Sequence, residues 1–322
     1  LGTARTLVDR LADMARLDAY AWFKPEVEVC LGFQALYEGD PRSAQEHLER
    51  SMAGFRARPP DEVVSAFWPL PNDPVAVGAV ALATAAAVRG DPERVAEWER
   101  EAVRRAEAIG FPRGPFSLAF VKTYSAWNRR FLGDWAGAQA IGAEILQIGL
   151  DYGYAYWMLL GSSYVGTETP GARPDRAFVT QNIATLRLMG QQAFSASHLA
   201  LAAQLAADDG DLDAAAGFIA DALEVIHKTG EYLHLPEALR LRGEYAFARF
   251  GDAEEAAADI TEALRVAIEQ GARISRLRAA LALARLPATT RPPDWSTLLR
   301  EARRELPATL STADTAAADA LL

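Results

Sequence analysis

Apolar residues in this chain recur at helical spacing. Leu7, Leu11, Met14 and Ala15 share one face of a helix over 3–17, and Ala44, Leu48 and Met52 do the same after Pro41. Pro25 opens a helix that runs to Tyr37. Further helices are predicted over 74–88, 92–109, 115–132, 134–148, 176–189, 192–208, 211–229, 236–250 and 252–270, with a shorter one at YAYWMLLGSSYV. Spans 272–286 and 294–306, the second capped by Asp294, close the chain ahead of STADTAAADALL, a short last helix or a frayed end. β-branched runs are short and alanine is abundant, which favours helix over strand.

The turns between these helices keep time. Gly-Asp pairs stand at Gly39-Asp40, Gly90-Asp91, Gly133-Asp134, Gly210-Asp211 and Gly251-Asp252. Glycines expected to close the second helix of each pair stand at Gly110, Gly149, Gly190, Gly230 and Gly271. Two interleaved turn series with one period of about 40 residues predict a helical repeat array. The expected organisation is one repeat domain over 1–322. Residues 1–20 form a partial repeat, 56–74 a Pro-rich insert, and 272–322 the terminal helices. In the fourth unit the tight turn gives way to a longer loop, GTETPGARPD (166–175).

Composition narrows the function classes. Half of the residues are hydrophobic, enough to fill the interfaces of such an array. A net charge of −10 argues against a nucleic-acid surface, which needs clustered Lys and Arg. No apolar run reaches the ~18 residues needed to span a bilayer. The single cysteine, Cys30, excludes an intrachain disulfide and suits a reducing compartment, so the cytoplasm is the expected location. The chain starts inside a helical pattern without an initiator Met and is read as a piece of something longer.

Setting the Gly-Asp turns in register exposes a column of small residues. Seven before the glycine stand Gly32, Ala83, Ala126 and Ala203, with Glu244 as the exception beside Gly243; five after stand Ala44, Val95, Ala138, Ala215 and Ala256. Twelve after stand Ser51, Ala102, Ile145, Ala222 and Ala263. Small side chains there let helices cross closely. Trp157, Leu160, Gly161 and Tyr164 match W-x-x-L-G-x-x-Y, and with these columns the chain resembles a tetratricopeptide array over about 20–285. That resemblance implies an all-α, right-handed superhelix of about six helix pairs.

The ~40-residue unit is longer than the family's usual 34 and is similar to the helical tails of bacterial signal-transduction ATPases, the maltose-activator-like regulators among them. NDPVAVGAVALATAAAVRGDPERV, GFPRGPFSLAF and GDAEEAAADITEALRVAIEQGAR resemble the C-terminal region of large proteins joining a class III nucleotide cyclase domain, an ATPase domain and such repeats. There the tail is regarded as a sensor or docking arm. No G-x-x-x-x-G-K-[ST] phosphate loop is present, so ATP binding does not carry over. A LuxR-type DNA-binding module is missing from the C-terminus.

No catalytic constellation, cofactor motif or metal motif stands out, and an enzyme is not expected. The histidines His47, His198, His227 and His234 form no H-E-x-x-H; His227, Glu231 and His234 around Gly230 read as capping and surface groups before they read as a metal site. Asp208, Asp209, Asp211 and Asp213 look like part of a calcium loop but lack the twelfth-position Glu, so helix capping is the better reading. GSSYVG is not a nucleophile elbow.

In tetratricopeptide arrays the first helix of each pair lines the concave groove. The corresponding positions and their edge give Phe33, Tyr37, Phe120, Trp127, Arg130, Met158, Gln204 and Tyr245 as candidate contacts. Trp, Tyr, Phe and Arg dominate binding hot spots, but aromatic stripes at helical spacing also pack as core. Trp127-Asn128-Arg129-Arg130 is the strongest cluster, suited to a carboxylate. Phe67-Trp68-Pro69 in the insert either plugs the groove, presents a surface, or belongs to an Ω-loop. The expectation is a non-enzymatic binding and regulatory module that grips a protein or peptide segment along the groove. A small-molecule effector pocket near Trp127 and Met158 is the alternative, and a homodimer through the cut end of the array is a further expectation.

Overall fold

The computed structural model describes residues 2–59, 68, 70–165, 173–190 and 194–322. Phe67 and Pro69 of the insert, the loop residues 166–172 and the predicted start of a helix at 192 lie outside the described residues. Among the described residues the chain is all-α, with sixteen α-helices and no strand. They are α1 (Gly2–Ala15), α2 (Lys24–Tyr37), α3 (Pro41–Arg56), α4 (Pro74–Val88), α5 (Pro92–Ile109), α6 (Arg113–Phe131), α7 (Trp135–Tyr152), α8 (Ala155–Ser162), α9 (Arg176–Leu188), α10 (Ser195–Asp208), α11 (Leu212–Thr229), α12 (Leu235–Phe250), α13 (Ala253–Gln270), α14 (Arg273–Arg285), α15 (Trp295–Arg304) and α16 (Ala313–Leu321). Two compact units form: Leu1–Ala87 with Pro92–Ala172, and Val88–Asp91 with Arg173–Leu322. No such division was legible in the repeat pattern.

Four of the Gly-Asp turns, those at Asp40, Asp134, Asp211 and Asp252, share one mechanism, and the turn at Gly90 shares its glycine geometry. Each glycine has a positive φ, from 70° at Gly251 to 86° at Gly133, which a side chain would strain. The aspartate then caps the next helix: Asp40 accepts from the Ser43 amide at 3.0 Å, Asp134 from Gly137 at 2.8 Å and Asp211 from Ala214 at 3.1 Å. Asp252 accepts from both Glu254 and Glu255. Asp294 stands at the N-cap of α15 but makes no side-chain cap bond.

Gly149 is a correction. It does not end a helix: α7 runs on to Tyr152, and Gly153 takes the left-handed cap at φ 71°. Gly149 is instead a contact notch, because a Cβ there would stand 2.5 Å from Met158 Cγ on α8.

Close packing follows the small-residue columns. Ala44, Ala215 and Ala256 are fully buried, as are Ala102, Ala222 and Ala263. In the first unit α2 packs on α3 so tightly that a Cβ on Gly32 would meet Leu48 Cγ at 2.5 Å. At the Glu244 exception the close contact falls on the neighbouring Gly243, where a Cβ would stand 2.9 Å from Ile260 Cγ1. At the N-terminus α1 packs on α2 but leaves Leu7 and Met14 exposed.

Candidate partner-binding face

In the first unit a row of rings runs across α2, α6 and α8 and on to the end of α7. Phe33 and Tyr37 lie one turn apart on α2; Phe116, Phe120 and Tyr124 are spaced by four on α6; Trp157 sits on α8. Phe33 meets Phe120 at 6.0 Å between centroids and Tyr124 edge-on at 5.6 Å. Phe120 and Phe116 both meet Trp157, and Phe116 continues to Tyr154 at 5.4 Å. Tyr154 stacks on Tyr152, and Tyr152 on Phe111.

The α2 and α6 rings touch although their Gly-Asp turns are two periods apart. α4, which falls between them in the chain, reads PVAVGAVALATAAAV and offers no ring of its own. Its side chains are mostly Ala, Gly and Val; Gly78 packs near Val29 of α2, and the Asp73 amide just before α4 donates to Ser117 of α6 at 2.8 Å. Each ring pair adds about 0.5–1.5 kcal/mol beyond burial, so the row is stiff as well as apolar. The Tyr37 and Tyr124 hydroxyls share a hydrogen bond at 2.6 Å, which gives the row a polar end. Phe33, Tyr37, Phe116, Phe120 and Tyr154 are half-buried, while Phe111 at the far end is 76% exposed. Stiff, partly open aromatic surface suits a binding face.

The eight residues expected in the groove separate into groups. Phe33, Tyr37 and Phe120 come together in this row. Trp127 is 2% exposed and stacks on Phe131 at 4.8 Å, so it is core and presents no surface. Arg130 is half-buried and its guanidinium bonds the buried Tyr164 hydroxyl; burial raises the Tyr164 pKa, and Arg130 pulls it back. Met158 is half-buried against Gly149. Gln204 and Tyr245 belong to the second unit, Gln204 half-buried on α10 and Tyr245 buried in the α10–α14 core, where desolvation raises its pKa. Phe116, Tyr124, Trp157 and Tyr154 complete the row. Their signal in the sequence was the i, i+4 spacing of Phe116, Phe120 and Tyr124.

The Trp127–Arg130 cluster divides by helix face. Asn128 donates to Glu99 at 3.0 Å and Arg129 to the same carboxylate at 3.2 Å. Neither is left for a ligand carboxylate. In the insert, Trp68 is buried and its indole N–H donates to the Asn72 carbonyl at 2.7 Å.

The four aspartates near Gly210 are held by arginines. Asp211 accepts from Arg176 at 2.7 Å and Asp209 pairs with it at 3.3 Å, while Asp208 pairs with Arg173 and Asp213 with Arg249. Among the described residues no group of three or more His, Cys, Asp or Glu is arranged to hold a metal ion. Burial, with Glu26 nearby, pushes the Cys30 thiol up to about 11, so it stays protonated and unreactive at neutral pH. No helix among the described residues is long and apolar enough to cross a membrane. Comparison with family models and with curated proteins gives no match.

Proposed function

We propose that this chain is a binding and regulatory domain without catalytic activity of its own, built as a tetratricopeptide-like solenoid that grips an extended protein segment. The aromatic row of the first unit carries the reading, because preformed rings on packed helices give contact area at low entropic cost. Consecutively packed helix pairs with small residues at their crossings support the solenoid. Under this reading the domain is a sensor or docking arm, working in the cytoplasm of a bacterium, of a cyclase, ATPase or transcriptional regulator. The resemblance of its repeats to such tails supports that assignment.

Selection from a randomised peptide library on the full chain tests it. Enriched peptides should bind the protein, and Phe120→Ala should weaken them about tenfold or more, as expected for loss of one anchor. Peptides indifferent to Phe120→Ala, or no enrichment at all, would sink the reading. If the effector is a small molecule instead, apparent stability rises with ln(1 + [L]/Kd) while no peptide is retained.

A further inference from the structure

A second feature of the first unit points to a different ligand. A cleft of about 330 Å³ opens between α5, α6 and α7, near the lower end of small-molecule pocket sizes. Its lining includes Glu99, Arg100 and Val103 from α5, Lys122 and Ser125 from α6, and Ile141 from α7.

Glu99 breaks the repeat. The ninth residue after the turn glycine is Leu48, Gly142, Ile219 or Ile260 in the other tight pairs, and each of those is buried. At the same position here stands a carboxylate only 8% exposed. Placing a charge where its counterparts are Leu, Ile or Gly costs stability that packing alone never requires. Burial pushes the Glu99 carboxyl up, and Asn128, Arg129 and Ser125 pull it partly back. A carboxylate accepts about four hydrogen bonds, so three side-chain partners still leave capacity unused.

The surroundings are unfinished in the same direction. The Ser125 hydroxyl, 4% exposed and on the cleft wall, interacts with the Glu99 carboxyl but makes no hydrogen bond of good geometry among the described residues. The Oδ1 of Asn128, a wholly buried residue, makes none either. Arg100, next in sequence to Glu99, donates from Nε to the Ala96 carbonyl and has no ion pair among the described residues. Its neighbours Arg94, Arg104, Arg105 and Arg129 all have acidic partners, and Lys122 is held by Glu144. Val103 and Ile141 supply apolar wall. An acceptor-rich buried floor, an adjacent unpaired cation and an apolar flank together describe one head group: an ammonium and a carboxylate on neighbouring atoms, with a hydrocarbon side chain.

We propose that this cleft binds a free aliphatic α-amino acid, its ammonium donating to Glu99 and Ser125, its carboxylate meeting Arg100, and its side chain lying between Val103 and Ile141. The site is separate from the aromatic row and does not depend on it. The Glu107 carboxylate, also on the lining, lies about two turns along α5 from Arg100 and repels an acid that enters without an ammonium.

Calorimetric titration of the full chain with L-leucine tests this. Saturable one-to-one binding is expected, with 3-methylbutylamine and 4-methylpentanoate, which each lack one charge, bound about tenfold more weakly or worse. Glu99→Gln should abolish binding. Because Glu99 is buried, Arg100→Met at the exposed rim gives an independent reading in a chain whose folding is not at stake, and it should weaken L-leucine about tenfold. Absence of heat with L-leucine, L-isoleucine and L-valine at about 10 mM, far above a functional Kd, overturns the proposal. So does an unchanged affinity in Arg100→Met.

Discussion

Replacing Glu231 by glutamine should stabilise the second unit at pH 8 and destabilise it slightly, by about 1 kcal/mol, near pH 4.5. Glu231 follows the left-handed cap Gly230 and precedes the 3-10 turn Tyr232–His234 that leads into α12. It is 6% exposed, and its Oε2 is buried with no hydrogen-bond partner among the described residues. Desolvation raises its carboxyl from 4.5 to about 7. The folded state therefore binds this proton more tightly than the unfolded chain, and stability present below pH 4.5 is lost as pH rises to about 7. That gap amounts to about 3 kcal/mol. Glutamine keeps the shape and removes the charge, but its amide still lacks partners at a cost of about 1 kcal/mol, leaving a net gain of about 2 kcal/mol. For a unit of this size that corresponds to a melting shift of about 4–8 °C at pH 8. Thermal unfolding followed by circular dichroism at the two pH values reads it directly. An equal offset at both pH values would show that ionisation is not the cause, and a lower melting point at pH 8 would mean that the carboxylate has a stabilising partner.

Two further substitutions probe the packing and the buried charges. Ala215→Leu should cost about 1–3 kcal/mol by overpacking the α10–α11 contact, whereas Ala220→Leu on the exposed face of α11 should change the melting midpoint little; equal effects would refute the small-residue argument. Arg58→Ala should cost about 3–5 kcal/mol in a denaturant melt, because it strands Glu26, wholly buried and bonded to Arg58 through both oxygens at 2.7 Å. The pair Glu26→Gln with Arg58→Met should recover much of that loss, and failure to do so would mean that the arginine acts through packing alone.

Most helices and the tight turns were legible because each rests on a local cause: a glycine where φ is positive, an aspartate one residue on, and a small side chain at a fixed offset. Gly149 misled because a glycine near a helix end has two physical uses. Here close approach to Met158, not chain reversal, was the reason for it. Glu244 stood out as the exception in its column, and Gly243 beside it takes the close contact. The aromatic row was half legible. The spacing of Phe33, Tyr37 and Phe120 put each on a helix face, but no single-helix pattern reveals that rings two periods apart meet. Trp127 and Tyr245 shared that spacing and turned inward, because periodicity marks a face without saying what covers it. Glu99 carries no signal of its own in the sequence, because one more charge on a helix rich in Glu and Arg marks nothing until its neighbours are known.

The meeting of the α2 and α6 rings over α4 changes how the first unit should come apart. A stack of repeats linked only to adjacent repeats behaves as a one-dimensional chain whose ends fray one at a time. A link that skips a repeat ties three of them into a single melting block, so that loosening α4 loosens the flanking pairs with it. Strain applied at one end of such a block is then felt at the other without any hinge between.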